Sequence, residues 1–251
     1  MEDKVIVSLA TYSKRFATLP IVFESLLNQT MKPFRIVVVL DKDDIDKITP
    51  EMQKYFDMDM FEVIITEDNI RPHKKYFYTM LKYRKNPIIT VDDDCEYNPD
   101  MIESLFRTYK EHPDCVCALE TVKVGFHVNG TPKLKTSWKF HTFEFDTPTY
   151  KLVAEGIGGV LYPPNILKLK KSMLTEIYQF TNEDDLYLKM VEVRNGIKVI
   201  TAKAIDGKQR GKQLQCGKDY GLYKLNNITG SAEYINKIPK DIWDKIRTDN
   251  G

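Results

Sequence analysis

The sequence predicts one α/β domain, a mostly parallel sheet flanked by helices, followed by a C-terminal extension. Three observations carry that reading. A continuous apolar run, Lys4 to Leu9 (KVIVSL), is followed by a helical pattern and then by a second apolar run, Arg35 to Leu40 (RIVVVL), all within forty residues. Such a strand–helix–strand unit requires a right-handed crossover between parallel strands. Two further β-branched runs, Glu62 to Thr66 (EVIIT) and Ile88 to Val91 (IITV), extend the alternation. Nothing repeats internally and no segment is of low complexity, so one continuous fold is expected.

In chain order, Lys4 to Leu9 is the first strand and Ala10 to Arg15 a polar loop at its C-terminal end. Phe16 to Asn28 reads as a helix, with Leu19, Val22, Phe23, Leu26 and Leu27 on one face. Met31-Lys32-Pro33 ends it before the second strand, which Asp41 closes. Thr49-Pro50-Glu51 begins another helix, with proline in the first turn where its missing N–H costs nothing. Arg71 to Arg84 is basic and aromatic and becomes a helix, and Ile88 to Val91 is the fourth strand. Pro99 to Lys110 is an amphipathic helix and Cys115 to Val122 a further strand. Lys123 to Tyr150 is weakly patterned, which suggests β-hairpin excursions that cover a cleft. Gly156-Ile157-Gly158-Gly159 is a turn into Val160-Leu161-Tyr162-Pro163-Pro164. Glu183-Asp184-Asp185 opens a helix, Leu186 to Arg194, capped by Asn195-Gly196, and Ile197 to Ala202 is the last strand. A closing amphipathic helix lies around Ile238 to Ile246.

Composition excludes several classes. The 251 residues carry 37 basic and 36 acidic side chains, a net charge of +1, so no overall field favours nucleic acid. Met1-Glu2-Asp3-Lys4 leads into a strand too short for a signal-peptide core, and no apolar run reaches the length of a membrane span. The four cysteines lack paired C-x-x-C spacing, so reduced thiols in a cytoplasmic protein are expected. There is neither a G-x-G-x-x-G nor a G-x-x-x-x-G-K-[ST], which disfavours a dinucleotide oxidoreductase and a P-loop enzyme.

The chemistry concentrates after the fourth strand. Asp92, Asp93 and Asp94 follow without a gap, with Glu96 beyond, and no Lys or Arg lies within five residues to relieve them. On an extended chain Asp92 and Asp94 would face one way and Asp93 the other. Hard oxygen ligands at a strand's C-terminal end suit Mg²⁺ or Mn²⁺ with substrate phosphates. A solvated acidic turn before Asn98-Pro99 is the plainer alternative. The second acidic run, Glu183 to Asp185, is either favoured by the helix dipole or the source of a general base. Arg71, His73, Lys74 and Lys75 either neutralise a diphosphate or form a solvated face, and His73 alone reads as a surface histidine. Thr11, Tyr12 and Arg15 sit where a first strand-to-helix loop would meet a nucleotide, or where an ordinary cap would. Gly156, Gly158 and Gly159 allow close approach of a ligand, or form a tight turn.

These segments together resemble the GT-A glycosyltransferases, the family 2-like group of the bacterial capsular and surface-polysaccharide type. The matching stretches, in order, are VSLATYSKRF, ESLLNQTMKP, RIVVVL, KKYFYTMLKY, IITVDDDCEYNPDMI, GIGGVLYPP and NEDDLYLKMV, spanning roughly Val5 to Ile200. The resemblance implies a GT-A domain over about 1–205, with a nucleotide-binding half to about 98 and an acceptor half from 99, and an extension over 206–251. It implies a metal-dependent transferase that moves a sugar from a nucleotide-diphosphate donor, a UDP-sugar first, to a hydroxyl of a glycan or lipid-linked acceptor. Asp92 and Asp93 would bind the nucleotide-sugar, and Asp94, with Asp92, the Mn²⁺ or Mg²⁺. Thr11, Tyr12 and Arg15 would line the nucleotide pocket, Asp41 would reach the base and Lys75 the phosphates. Gly156, Gly158 and Gly159 would form the acceptor and donor loop. Asp184 would be the catalytic base, with Glu183 and Asp185 its competitors, and one base opposite the leaving group implies inversion. Ile157, where relatives often carry glycine, and Tyr187, where Trp is usual, depart from the pattern and bear on acceptor fit. A lipid-linked acceptor would bring the protein to the inner membrane face, with the helix near Trp243 as a contact. An Asp-nucleophile phosphohydrolase is the rival, although its motif usually opens the first strand; an inactive nucleotide-sugar-binding subunit is another.

Overall fold

A computed structural model describes residues 4–140, 147–216 and 231–250. At its centre is a seven-stranded sheet of β1 (Ile6–Ala10), β2 (Arg35–Asp41), β3 (Phe61–Thr66), β4 (Ile88–Thr90), β6 (Val116–Ala118), β10 (Val160–Tyr162) and β11 (Val199–Thr201). Their order is β11-β6-β10-β4-β1-β2-β3, and β10 alone among them runs antiparallel to its neighbours. The inner strands are mostly apolar because both faces are covered, as parallel sheets require, whereas the edge strand β3 leaves Ile65 exposed. Alternate residues divide between two cores. Ile6, Val37, Val39 and Ile88 face one, and Val7, Leu9, Ile36, Val38, Leu40 and Ile89 face the other.

Helices α1 (Leu19–Leu27) and α4 (Met101–Glu111) cover the second face through Leu19, Val22, Phe23, Leu26, Met101, Ile102 and Leu105. Helix α2 (Pro50–Phe56) lies beside α1. Helix α3 (Lys74–Lys82) covers the first face through Tyr76, Phe77 and Met80, and is tied to β1 by Ser8 Oγ, which donates to Lys75 O at 2.6 Å. On the same side α6 (Asp184–Arg194), reached through the short α5 (Leu174–Ile177), is buried nearly all round, even at the Lys189–Glu192 pair (2.9 Å). A helix with no wet face needs further cover. The C-terminal helices α7 (Ala232–Lys237) and α8 (Lys240–Thr248) provide it, with Ile235, Ile238, Ile242, Trp243 and Ile246 in the first core.

Several expectations are corrected. The first helix begins at Leu19, not Phe16; Ser13–Thr18 is a 3₁₀ turn, and Pro20 sits at the helix start where a missing N–H is harmless. The strand expected over Cys115–Val122 breaks at Leu119-Glu120, sending β6 into the main sheet and β7 (Thr121–Lys123) into a second one with β8 (Lys139–Phe140) and β9 (Leu152–Ala154). A hairpin does follow β7, closed by His127 N donating to Thr131 O at 2.8 Å. The extension includes β12 (Lys212–Gln213), which pairs with β5 (Cys95–Glu96) directly after the three aspartates. Trp243 is buried against Trp138 and Phe126, so its ring faces the core. Among the described residues no helix is long and apolar enough to cross a membrane.

Because β10 is antiparallel, its N-terminal end meets the C-terminal end of β4, Val160 lying opposite Thr90. The glycine turn before it therefore reaches the rim where the aspartates emerge. Gly159 has φ of +88°, which an L side chain resists, and a Cβ on Gly158 would lie 2.8 Å from the Glu120 backbone N. Gly158→Ala and Gly159→Ala are each expected to cost about 2 kcal/mol and lower Tm by roughly 4–8 °C in thermal unfolding. An unchanged Tm for both would refute this account of the turn.

Candidate active site

The C-terminal ends of β1, β2 and β4 present the polar residues. β1 runs into Thr11 and Tyr12, and the 3₁₀ turn that follows holds Arg15, whose N–H donates to Tyr12 O at 2.9 Å. β2 ends on Asp41, whose carboxylate is ion-paired with the buried Lys74 ammonium. β4 leads through Val91, tied to Ser8 O at 3.0 Å, into the aspartates.

The aspartates do not alternate as on an extended strand. The chain turns at Asp93-Asp94 before β5, and Asp93 and Asp94 face Arg15 together: Asp93 is paired with its guanidinium, and Asp94 Oδ2 lies 3.4 Å from the same nitrogen. Asp92 meets Lys75 Nζ at 2.8 Å. The relief absent from the local sequence thus comes from the first loop and from α3. Burial lowers the proton affinity of Arg15, but Asp93 and Asp94 reverse that, so its pKa is raised and the charge is fixed. The extension fastens this loop from outside, with Leu214 N donating to Asp94 O at 2.8 Å. The Gly211 backbone is packed so closely that a Cβ there would lie 2.4 Å from Glu96 O.

Lys75 is the junction of the two acidic runs. Its ammonium lies 2.9 Å from Asp184 Oδ2 as well as 2.8 Å from Asp92 Oδ1. Burial acts to lower its pKa, and Asp184 and then Asp92 overcome that, leaving it well above the ordinary value. Burial conversely acts to raise the pKa of Asp184, and Lys75 with smaller help from His73 brings it below the ordinary range, so Asp184 is ionised. The glycine turn closes over this pair: a Cβ on Gly156 would lie 2.6 Å from Lys75 Nζ and 3.0 Å from Asp92 Oδ1.

The start of α6 is not an ordinary acidic cap, for Glu183 caps no backbone N–H. Its neighbours go instead to a second lysine. Lys135 Nζ lies 2.9 Å from Glu183 Oε1, 3.1 Å from Asp185 Oδ2 and 3.2 Å from Glu155 Oε1. Burial, opposed by Lys135 and reinforced by Glu155 and Asp184, holds Asp185 well above the ordinary carboxyl range. Sequence reasoning missed Lys135 and Glu155, and it named Lys74 in the basic run without its partner Asp41. Lys135 carries no signal in its unpatterned stretch, whereas Glu155, immediately before the glycine turn, could have been noticed.

The metal expectation is tested by the donor set. Among the described residues no three carboxylate, imidazole or thiol groups stand together as a ready metal cage. Burial and the nearby Asp92 nevertheless push Asp94 up to about 7. A carboxylate crowded by like charge fits an ion held by one or two acids and completed by phosphate oxygens, the arrangement Mg²⁺ and Mn²⁺ favour.

Comparison with known proteins follows this geometry. The sequence model for glycosyl transferase family 2 matches residues 7–163. Glucosyl-dolichyl phosphate glucuronosyltransferase of Haloferax volcanii is 29% identical over 126 residues, 47% of this chain, and the match spans only 38% of that relative's length. Two crystal structures of S. aureus TarS 1–349, one in complex with UDP, align with TM-scores of 0.55 and 0.54 at 17% and 19% identity. Each alignment covers 97% of this chain and 69% of theirs, a likeness of fold.

His73, expected at the surface, is fully buried at the foot of the site. Nε2 lies 2.8 Å from Phe180 O, which can only accept, so Nε2 carries the proton and Nδ1 accepts from Tyr76 OH at 2.7 Å. Burial outweighs the attraction of Asp184 and lowers its pKa below 6.5. The unfolded chain then binds this proton more readily, so stability is lost as pH falls through about 6.5. Urea unfolding of wild type and His73→Asn should show the variant weaker at pH 7 but losing less between pH 7 and about 5. Parallel curves would contradict a buried neutral histidine.

Proposed function

The chain belongs to glycosyl transferase family 2, and from that premise we propose that it is a metal-dependent, inverting glycosyltransferase acting from a nucleotide-diphosphate sugar onto a hydroxyl of a glycan or lipid-linked acceptor. The observation that supports this most is the Lys75 junction, which joins the acid loop after β4 to the acidic start of α6 within one ammonium's reach. A donor-binding loop and a general base must meet at the reacting carbon, and this reading is supported by Asp92 and Asp184, 92 positions apart in sequence (184 − 92), reaching one ammonium.

In this reading Thr11, Tyr12 and Arg15 line the nucleotide pocket, Asp41 lies towards the base, and Asp93 and Asp92 hold the donor. Asp94, with Asp92, would hold Mn²⁺ or Mg²⁺, which supplies Lewis-acid stabilisation of charge on the departing diphosphate. Lys75 adds a fixed positive charge beside the same phosphates, in a buried setting where such charge counts for more than in water. Gly156, Gly158 and Gly159 let backbone approach donor and acceptor. Asp184, ionised and held by Lys75, takes the acceptor hydroxyl proton. The hydroxyl oxygen forms its bond to the anomeric carbon as the carbon–oxygen bond to the diphosphate breaks, and the nucleoside diphosphate leaves with that electron pair. Attack opposite the leaving group inverts the anomeric centre. UDP is the first nucleotide to try, since S. aureus TarS has been crystallised in complex with UDP. A cytoplasmic setting, at the inner membrane face for a lipid-linked acceptor, belongs to the same reading.

Asp184→Asn, assayed by product formation from a panel of nucleotide-sugars, should lower kcat by about 10²–10⁴-fold while leaving donor affinity nearly intact. An active Asp184→Asn enzyme, or a product retaining the donor's anomeric configuration, would overturn the assignment.

A further inference from the structure

We propose that Lys135, from the excursion between β7 and β9, is a positioning residue for Asp184, clamping Glu155 ahead of the glycine turn to Glu183 and Asp185 on either side of the base. The inference rests on the function proposed above and extends it to a residue in a segment outside the nucleotide-binding half.

The geometry is that of a clamp. One ammonium reaches three carboxylates at 2.9, 3.1 and 3.2 Å, and they come from two separate segments, the end of β9 and the start of α6. The segment carrying Lys135 is itself fastened. Lys135–Ser137 forms a 3₁₀ turn, Lys133 N donates to Gly125 O at 2.8 Å, and Trp138 Nε1 donates to Lys133 O at 2.9 Å. The Trp138 ring then packs on Trp243 of α8, so the lysine stem issues from a braced turn. Such bracing is what a group needs if it is to hold another to within a fraction of an ångström.

The division of labour between the two lysines gives the clamp its purpose. Lys75 engages Asp184 and leaves Glu183 and Asp185 to Lys135. Without Lys135, Glu155, Glu183 and Asp185 would stand as three carboxyls around the base, with Asp184 itself a fourth. Lys75, His73 and the phenol of Tyr76 from the α3 side and the phenol of Tyr162 on β10 are other titratable groups facing this cluster. Unrelieved carboxylates would take up protons, and α6 would lose the tie that fixes its first turn against the glycine loop.

The test uses the full chain with Lys135→Met, Lys135→Arg and Lys135→Met/Glu155→Gln. In urea unfolding from about pH 5 to about pH 8, carboxyls left without their cation hold protons more tightly when folded. The Lys135→Met deficit should therefore widen as pH rises, and Glu155→Gln should narrow it. In transfer assays Lys135→Met should lower kcat by about 10²-fold with little change in donor KM, and move the acid limb of the kcat profile upward. Lys135→Arg should recover most of both. A stability deficit that does not vary with pH, or an unshifted kcat profile in an active Lys135→Met enzyme, would overturn the proposal. If the wild type turns over no donor at all, the proposed function fails, and the unfolding series still decides the role of Lys135.

Discussion

The Lys75 ammonium, buried between Asp92 and Asp184, is the interaction on which the rest of the site depends. Removing a cation and two carboxylates from water costs several kcal/mol per ion, and mutual attraction repays it only where geometry is good. Such an arrangement is poor value for stability alone. Its consequence is organisational. It fixes the end of β4, the start of α3 and the start of α6 against one another, and a side chain at 156 would have to shift the Lys75 ammonium that joins them.

The fold is arranged to deliver those three elements to one rim. Parallel strands place their C-terminal ends together, where open α/β sheets bind ligands. The antiparallel β10 lets the glycine turn arrive at the same edge from the opposite direction. The extension then closes the far side through β12, so the acid loop is held from within by Arg15 and Lys75 and from outside by main-chain pairing. The electrostatics follow from this crowding. Asp93 and Asp94 are held against one guanidinium while burial raises both of their pKa values, so desolvation works against their charge and Arg15 works for it.

Much of this was legible in the sequence. Continuous apolar runs announced strands buried on both faces, and the three aspartates after IITV marked the rim. The Glu183 run marked the second half of the site, and the glycine turn marked what lay between. What could not be read were the partners. Nothing in the neighbourhood of Asp93 points to Arg15, 78 residues away, and nothing in an unpatterned stretch distinguishes Lys135 from other surface lysines. His73 was read as exposed because a lone histidine in a basic run carries no period, whereas tertiary packing of α3 against Phe180 and Tyr187 decides its burial. The break at Leu119-Glu120 was hidden for a similar reason: both halves are β-formers, and at the bend Leu119 N donates to Gly159 O while Glu120 O accepts from Glu155 N, partners far away in sequence.

The most direct test of the central claim is a calorimetric titration of UDP and UDP-sugars into wild type and Asp94→Asn, each with and without Mn²⁺. The account predicts binding to wild type that requires the ion and is lost in the variant, since the proposed function gives Asp94 the ion that the diphosphate would share. Binding that is indifferent to both the ion and the substitution, or no binding of any nucleotide-sugar, would contradict it.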